Sequence, residues 1–321
     1  MIFFNLCLII IPTNLSALIG HFDKSDMKFS KSTIIYISVV LAMIFWSMTF
    51  IWFKIANEVF PPFSIVFLRL VLSSIILLAR ALFVRHLQKI ERRDWKWIIL
   101  LTIFEPFLYF IGESLGLTMI SSTQAAVIIG TIPLLVPVGA YLFFKEKLSL
   151  LNIAGIILSF AGLLIVVLKR GFTFNANPTG VILMFLAVFS AIGYTLMVRK
   201  LVGRYNPFSL VTYQNILGII FFLPLVAVFE FGSLVSVDVT YRSLISLFCL
   251  AIFGSTLAFI LYNYSIKNLG ASKANIFTNI IPVLTAVFSF YILNEEMSFR
   301  KVTGIAVVLA GLFLSQLKKM K

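Results

Sequence analysis

Three ionisable side chains stand in stretches that are otherwise apolar: Arg69 in PFSIVFLRLVLSSIILL, and Glu105 and Glu113 in LTIFEPFLYFIGESLGL. An ionisable group in hydrocarbon is costly unless it finds a partner or a water-filled cavity, so each of the three needs a use. Eight residues separate the two glutamates. On a helix that is about 80° of rotation and ~12 Å of rise, so both can face one interior sector at different depths. Arg69 reaches roughly the depth of Glu113 when its helix is counted from the opposite membrane face. A buried Arg69–Glu113 pair follows, serving either the binding site or the scaffold as a clamp between helices. Glu105 is then left without a cation. Burial disfavours the charged form of a carboxyl, so an unpaired glutamate near the midplane can take up and release a proton or hold a cationic substrate. Pro106 beside it loosens the helix and frees the carbonyl of Thr102.

Other polar and aromatic groups could complete a pocket. Trp46 and Tyr194 fall in mid-span of two helices, and Tyr109 is one turn beyond Glu105. Asn275 and Asn279, four apart, share a helix face, and Gln124, Gln214, Asn215 and Asn263 are further amides in or near apolar runs. Aromatics in such a chain mostly face lipid or pack, whereas an unsatisfied amide in hydrocarbon is costly and therefore informative. Together these groups describe an aromatic, weakly acidic pocket suited to an amphipathic or cationic solute.

The elements that must carry them are membrane spans. The chain has 321 residues, 61% of them hydrophobic and 12% charged, with 34 phenylalanines. A span needs about 20 mostly apolar residues. Ten such runs lie near 33–53, 62–82, 96–117, 123–143, 150–168, 179–198, 208–229, 243–265, 273–293 and 300–317. The breaks between them are too short to hold a soluble catalytic domain. With the amino terminus placed in the cytoplasm, 19 Lys and Arg residues fall inside and 6 outside, with Arg69 in a span. That bias puts both termini in the cytoplasm of a multi-pass plasma membrane, the inner membrane in a bacterium. It also accounts for the net charge of +14 without nucleic acid. Cys7 and Cys249 suggest neither a disulfide framework nor a metal pair. His21 and His86 read as solvated. Residues 1–32 form an amino-terminal segment with a short apolar run but no basic lead, and Met27 would be a more ordinary start.

The chain also repeats itself. Sliding 115–168 onto 264–317 with a constant shift of 149 gives 13 identities in 54 pairs, among them Pro133 on Pro282, Glu146 on Glu295, Ser149 on Ser298, Gly155 on Gly304 and Gly162 on Gly311. A shift of 145 lays Pro62-Phe63-Ser64 on Pro207-Phe208-Ser209. The units are 33–169 and 179–317, joined by a linker at 170–178 and followed by a basic tail at 318–321. Five spans per copy is an odd number, so the second copy enters the membrane from the opposite side. Inverted repeats of this kind suit alternating access, because two near-equivalent halves can exchange conformations around one central site.

The block TIPLL at 131–135, FKEKLS at 144–149 and NIAGIILSFAG, with its second copy NIIPVL, LNEEMS and KVTGIAVVLAG, resembles the EamA-type repeat of the drug/metabolite transporter superfamily. The resemblance implies an all-α bundle of ten transmembrane helices around a central cavity, moving small metabolites or drugs without ATP, often outward. It implies a small-molecule substrate and the lipid bilayer as partners, no cofactor, and no nucleic acid; a homodimer is admissible. It leaves open the substrate, amphipathic, cationic or amino-acid-like, and whether protons drive its movement.

The motifs inside the repeat read as scaffold. Gly155 with Gly162, and Gly304 with Gly311, return to one helix face and form packing seams. Glu146 and Glu295 cap the helices that follow them or pair with nearby lysines, beside Ser149 and Ser298. Pro133 and Pro282 each remove a backbone hydrogen bond in mid-span. The alternative function, a multi-pass intramembrane enzyme acting on lipid-linked substrates, would need a His or Asp dyad or a metal cluster, and no histidine lies within a span. A channel would more naturally use parallel repeats or oligomeric pores.

Overall fold

A computed structural model of the chain describes residues 30–84, 87–136, 138, 149–168 and 176–316. The amino-terminal segment with Cys7 and His21, His86, the Lys145-Glu146-Lys147 turn, Lys169, Arg170 and the basic tail lie outside the described residues.

The described residues are helical, apart from short connections. In chain order they are α1 (Lys31–Asn57), α2 (Pro62–Val84), α3 (Arg92–Met119), α4 (Ser122–Val136) and α5 (Leu150–Val167). Then come α6 (Pro178–Leu201), α7 (Pro207–Val235), α8 (Tyr241–Leu269), α9 (Ala271–Ile276 continuing through Phe277–Ile280 and Ile281–Leu293) and α10 (Phe299–Gln316). Among the described residues, eight of these stretches are long and apolar enough to cross a membrane; α4 is a shorter apolar helix, and α10 has 18 residues and begins with Arg300 and Lys301 after Phe299. The chain is an integral membrane protein.

Local sequence explains where the helices begin. The first amides of a helix have no intrahelical acceptor, and polar side chains supply one. Ser121 with Gln124, and Ser149 with Asn152, form reciprocal capping boxes at α4 and α5. Asn177 and Asn206 cap α6 and α7, each followed by a proline at the first helical position, where its missing N–H costs nothing. Two caps come from far away. The Glu230 carboxylate, near the end of α7, accepts from the Phe63 and Ser64 amides at the start of α2, at 3.0 and 2.6 Å. The Glu295 carboxylate, just beyond α9, accepts from the Ser122 amide at 2.7 Å and from the Thr123 hydroxyl at 2.8 Å at the start of α4. Glu295 therefore does not cap the helix that follows it; Ser298 does, through the Lys301 amide. A carboxylate closing an N-terminus gains from both hydrogen bonds and the helix dipole, about 1.5–3 kcal/mol for a bond to a charged group.

Packing follows the small residues. Lipid is as apolar as any side chain, so helices associate through close approach and hydrogen bonds rather than by the hydrophobic effect. The expected glycine seam joins α5 to α10. A Cβ added to Gly162 would lie 2.8 Å from the Gly304 carbonyl oxygen, and one on Gly311 2.6 Å from that of Gly155. Along the same seam the Ser159 hydroxyl donates to the Val308 carbonyl at 2.9 Å, and the Asn152 amide donates to the carbonyl of Ser315. Elsewhere α1 packs on α8 and α9, α3 on α6, α2 on α7, and α4 on α9 and α6.

α8 widens to π winding over Leu250–Ala258 and α7 over Val226–Glu230, while α3 is interrupted within Ile103–Leu108, where Glu105 is extended. Pro282 stands at the start of the last segment of α9, after the 3-10 turn Phe277–Ile280, so it marks a break rather than a bend in a continuous helix. Pro133 likewise follows the turn at Gly130 and Thr131 in α4.

Candidate functional site

The break in α3 builds the site. Within Ile103–Leu108 the backbone at Glu105 is extended, with φ −149° and ψ 120°, ahead of Pro106. A helix interrupted in this way exposes a carbonyl that must find a donor, and in hydrocarbon each one left unpaired costs several kcal/mol. Here the carbonyl of Glu105 itself accepts from the Gln214 side-chain amide of α7 at 2.6 Å. The interruption turns the Glu105 side chain into a cavity walled by α1, α2, α3, α4, α6, α8 and α9.

Most of the sequence-derived candidates meet in this cavity. Arg69, Glu105, Tyr109, Glu113, Trp46, Tyr194 and Asn275 all line it. Glu105 and Glu113 share the cavity although the backbone at Glu105 is extended, so the count along an unbroken helix does not describe the stretch between them. Five candidates lie elsewhere, among them Gln214, which holds the Glu105 carbonyl, and Asn215, which donates to the Ser73 hydroxyl at 2.7 Å. Gln124 is the capping partner of Ser121 at the mouth of α4, a helix-end role. Asn263 is fully buried one layer behind, where its carbonyl oxygen accepts from the Tyr194 hydroxyl at 3.0 Å. Asn279 does not line the cavity, and its side-chain oxygen is buried without a hydrogen-bond partner. The equal-face argument for Asn275 and Asn279 fails because the chain between them tightens to three residues per turn, which rotates the second amide away.

The Arg69–Glu113 ion pair does not form. Arg93 pairs with Glu91 at 2.7 Å and Arg204 with Asp94 at 2.9 Å, both away from the cavity. Arg69 instead donates from Nε to the Ser255 hydroxyl of α8 at 2.7 Å, with its guanidinium carbon 4.3 Å from the centroid of the Phe110 ring. Such stacking is worth about 0.5–2 kcal/mol depending on desolvation. Glu113 accepts from the Tyr109 hydroxyl at 3.1 Å, one turn back on its own helix. Depth along a helix axis placed the two charges at one level but said nothing of azimuth, and nearer partners claim each of them.

Sequence reasoning passed over several members of the wall. Thr49 and Phe50 of α1, Phe110 of α3, Phe259 and Tyr262 of α8, and Thr278 of α9 also line the cavity. The Tyr262 hydroxyl donates to the Asn275 side chain at 2.9 Å, and the Trp46 ring meets those of Phe259 and Tyr262 edge-on at 5.3 and 4.8 Å. Phenylalanine is so common in this chain that no single one could be picked out. Tyr262 did carry a signal, since the shift of 149 lays it on Glu113. Away from the cavity, a second polar cluster ties the start of α3 to the α6–α7 connection. There the Asp94 carboxylate meets the Arg204 guanidinium at 2.9 Å and accepts from the Tyr205 hydroxyl at 2.8 Å.

The arrangement is an aromatic chamber with two carboxylates, one guanidinium and several hydroxyl and amide groups, enclosed by seven helices. Comparison with known proteins gives the family of the chain. The sequence profile of the EamA-like transporter family matches residues 33–168 and 178–317. An uncharacterized transporter of Archaeoglobus fulgidus is 28% identical over 286 residues, spanning 88% of this chain and 98% of its own. The uncharacterized transporter YetK of Bacillus subtilis is 25% identical over 88% of this chain and 87% of its own, and a WAT1-related chloroplastic protein of Arabidopsis thaliana is 28% identical over 84% and 66%. A solved crystal structure shares the fold, with a TM-score of 0.66 at 16% identity over 88% of this chain and 98% of that one. The chain belongs to the EamA-like transporter family of the drug/metabolite transporter superfamily, and it is a membrane transporter rather than an enzyme.

Proposed function

We propose that this protein is a secondary transporter that exports small amphipathic, cationic or amino-acid-like metabolites or drugs by alternating access, coupled to protons through Glu105. The observation that carries the reading is the position of Glu105. It is 7% exposed at the break in α3 and faces a central cavity that also holds Glu113 and Arg69. Intramembrane acids at interrupted helices are the expected carriers of protons or cationic groups.

In this reading the protein is a bundle of ten transmembrane helices built from two inverted five-helix repeats, with both termini in the cytoplasm. The pairing of helices supports it. α1 packs on α8 as α3 packs on α6, and α1 on α9 as α6 on α4, while α2–α7, α4–α9 and α5–α10 each map onto themselves under exchange of the halves. Rocking of the halves then presents the chamber to one face at a time, and the extended backbone at Glu105 lets its carboxyl follow the motion without breaking a continuous helix. Tyr109, Tyr194, Trp46 and Asn275 supply the wall against which a flat or cationic solute rests.

The test is flux in proteoliposomes with and without an imposed pH gradient, across a panel of cationic, amphipathic and amino-acid-like solutes. Glu105→Gln should abolish the component driven by the gradient while the purified protein remains folded and monodisperse. Undiminished gradient-driven flux in that variant would sink the role of Glu105.

A further inference from the structure

The charges in the cavity do not cancel. Among the described residues, three charged groups line it: Arg69 from α2, and Glu105 and Glu113 from α3. The other titratable groups facing them are Tyr109 of α3, Tyr194 of α6 and Tyr262 of α8, while the α1, α4 and α9 walls contribute none. A guanidinium does not give up its proton in a protein, so Arg69 is a permanent unit of positive charge. It neutralises one carboxylate's worth of field without occupying either carboxylate. Its Nε is bound to Ser255, its face lies against Phe110, and no ion pair to an acid forms. Gly254, beside Ser255, makes this possible, because a Cβ there would stand 3.2 Å from Nη2 of Arg69. Both carboxylates therefore keep oxygens open to the chamber, with one surplus negative charge between them.

We propose that Arg69 fixes the exchangeable charge of this cavity at one, so that it holds either one proton or one singly charged organic cation and discriminates against dications. This rests on the transporter reading above and adds the charge of its substrate. When the cation binds, a carboxyl O–H gives its proton to water and the carboxylate takes the cation's charge; no covalent bond to carbon changes. An enclosed site tolerates little net charge, so removing Arg69 opens room for a second proton, or for a second positive charge on the ligand.

Two measurements on the full chain test this. Infrared difference spectroscopy of the purified protein at neutral pH, taken against the Glu105→Gln, Glu113→Gln double variant, should show one protonated cavity carboxyl in the wild type and two in Arg69→Gln. None or two in the wild type overturns the inference, whatever the variants do. With ethidium as singly charged probe and methyl viologen as doubly charged probe, wild type should release one proton per ethidium bound. The ratio of ethidium to methyl viologen affinity should fall by about tenfold or more in Arg69→Gln and be kept in Arg69→Lys. An unchanged ratio in Arg69→Gln overturns the assignment to Arg69. Failure of ethidium to bind overturns the cationic reading of the substrate, a separate result from the carboxyl count.

Discussion

α3 and α8 both leave α geometry, but α3 is broken by extended backbone at Glu105 whereas α8 only widens, and the two are used differently. Each leaves α geometry at the same place in its half, Ile103–Leu108 in one and Leu250–Ala258 in the other. The shift of 149 lays Glu105 on Gly254 and Glu113 on Tyr262. In α3 the break is extended at Glu105 and presents an acid to the cavity. In α8 the corresponding wide stretch presents no charge; it gives Arg69 room at Gly254 and a hydrogen bond at Ser255. Irregularities at matching places thus carry negative charge in α3 and seat the opposing positive charge at α8.

Moving the acid across this comparison should have the largest effect. Glu105→Gly combined with Gly254→Glu keeps the composition of the cavity but drives a side chain into Thr49 and the Arg69 guanidinium. The expected outcome is loss of gradient-driven flux, about tenfold at the least, together with lower thermal stability, because a displaced buried charge is costly. Recovery of wild-type flux would show that the two stretches are interchangeable. Next comes Gln214→Leu, which strips the donor from the Glu105 carbonyl. It should cost about 1–3 kcal/mol, the penalty of a buried acceptor left unpaired, read as a fall in the melting temperature of the purified protein. A neutral result would mean that the α3 break does not need α7 to hold it. The mildest is Tyr262→Phe, which removes one hydroxyl bond to Asn275 on the uncharged side. It should cost about 0.5–1.5 kcal/mol and leave proton coupling intact; loss of coupling there would place titrating chemistry in α8 as well.

Eight of the ten expected spans, the duplicated family match and the glycine seam were legible because each is written in many residues at a fixed period. The cavity was legible where a residue type was out of place, as with Glu105, Glu113 and Arg69 in apolar runs. What escaped was direction around a helix axis. Counting rise matched Arg69 to Glu113, yet Ser255 and Tyr109 hold them. Equal spacing paired Asn275 with Asn279, yet the 3-10 turn between them parts them. Gln124 looked like an amide stranded in hydrocarbon and proved to be half of a capping box, a role its place three residues after Ser121 had spelled out. Glu230 carried no local signal, and Glu295, read as a cap for the helix that follows it, serves amides that lie in the other half of the chain.

Those two acids also bear on how the protein is made. Glu230 follows the Ser64 amide it serves by 166 residues, and Glu295 follows that of Ser122 by 173. Until the second half of the chain is made, the Phe63 and Ser64 amides of α2 and the Ser122 amide of α4 lack these carboxylate acceptors. The first half alone is thus an unfinished object, and the ends of α7 and α9 finish it.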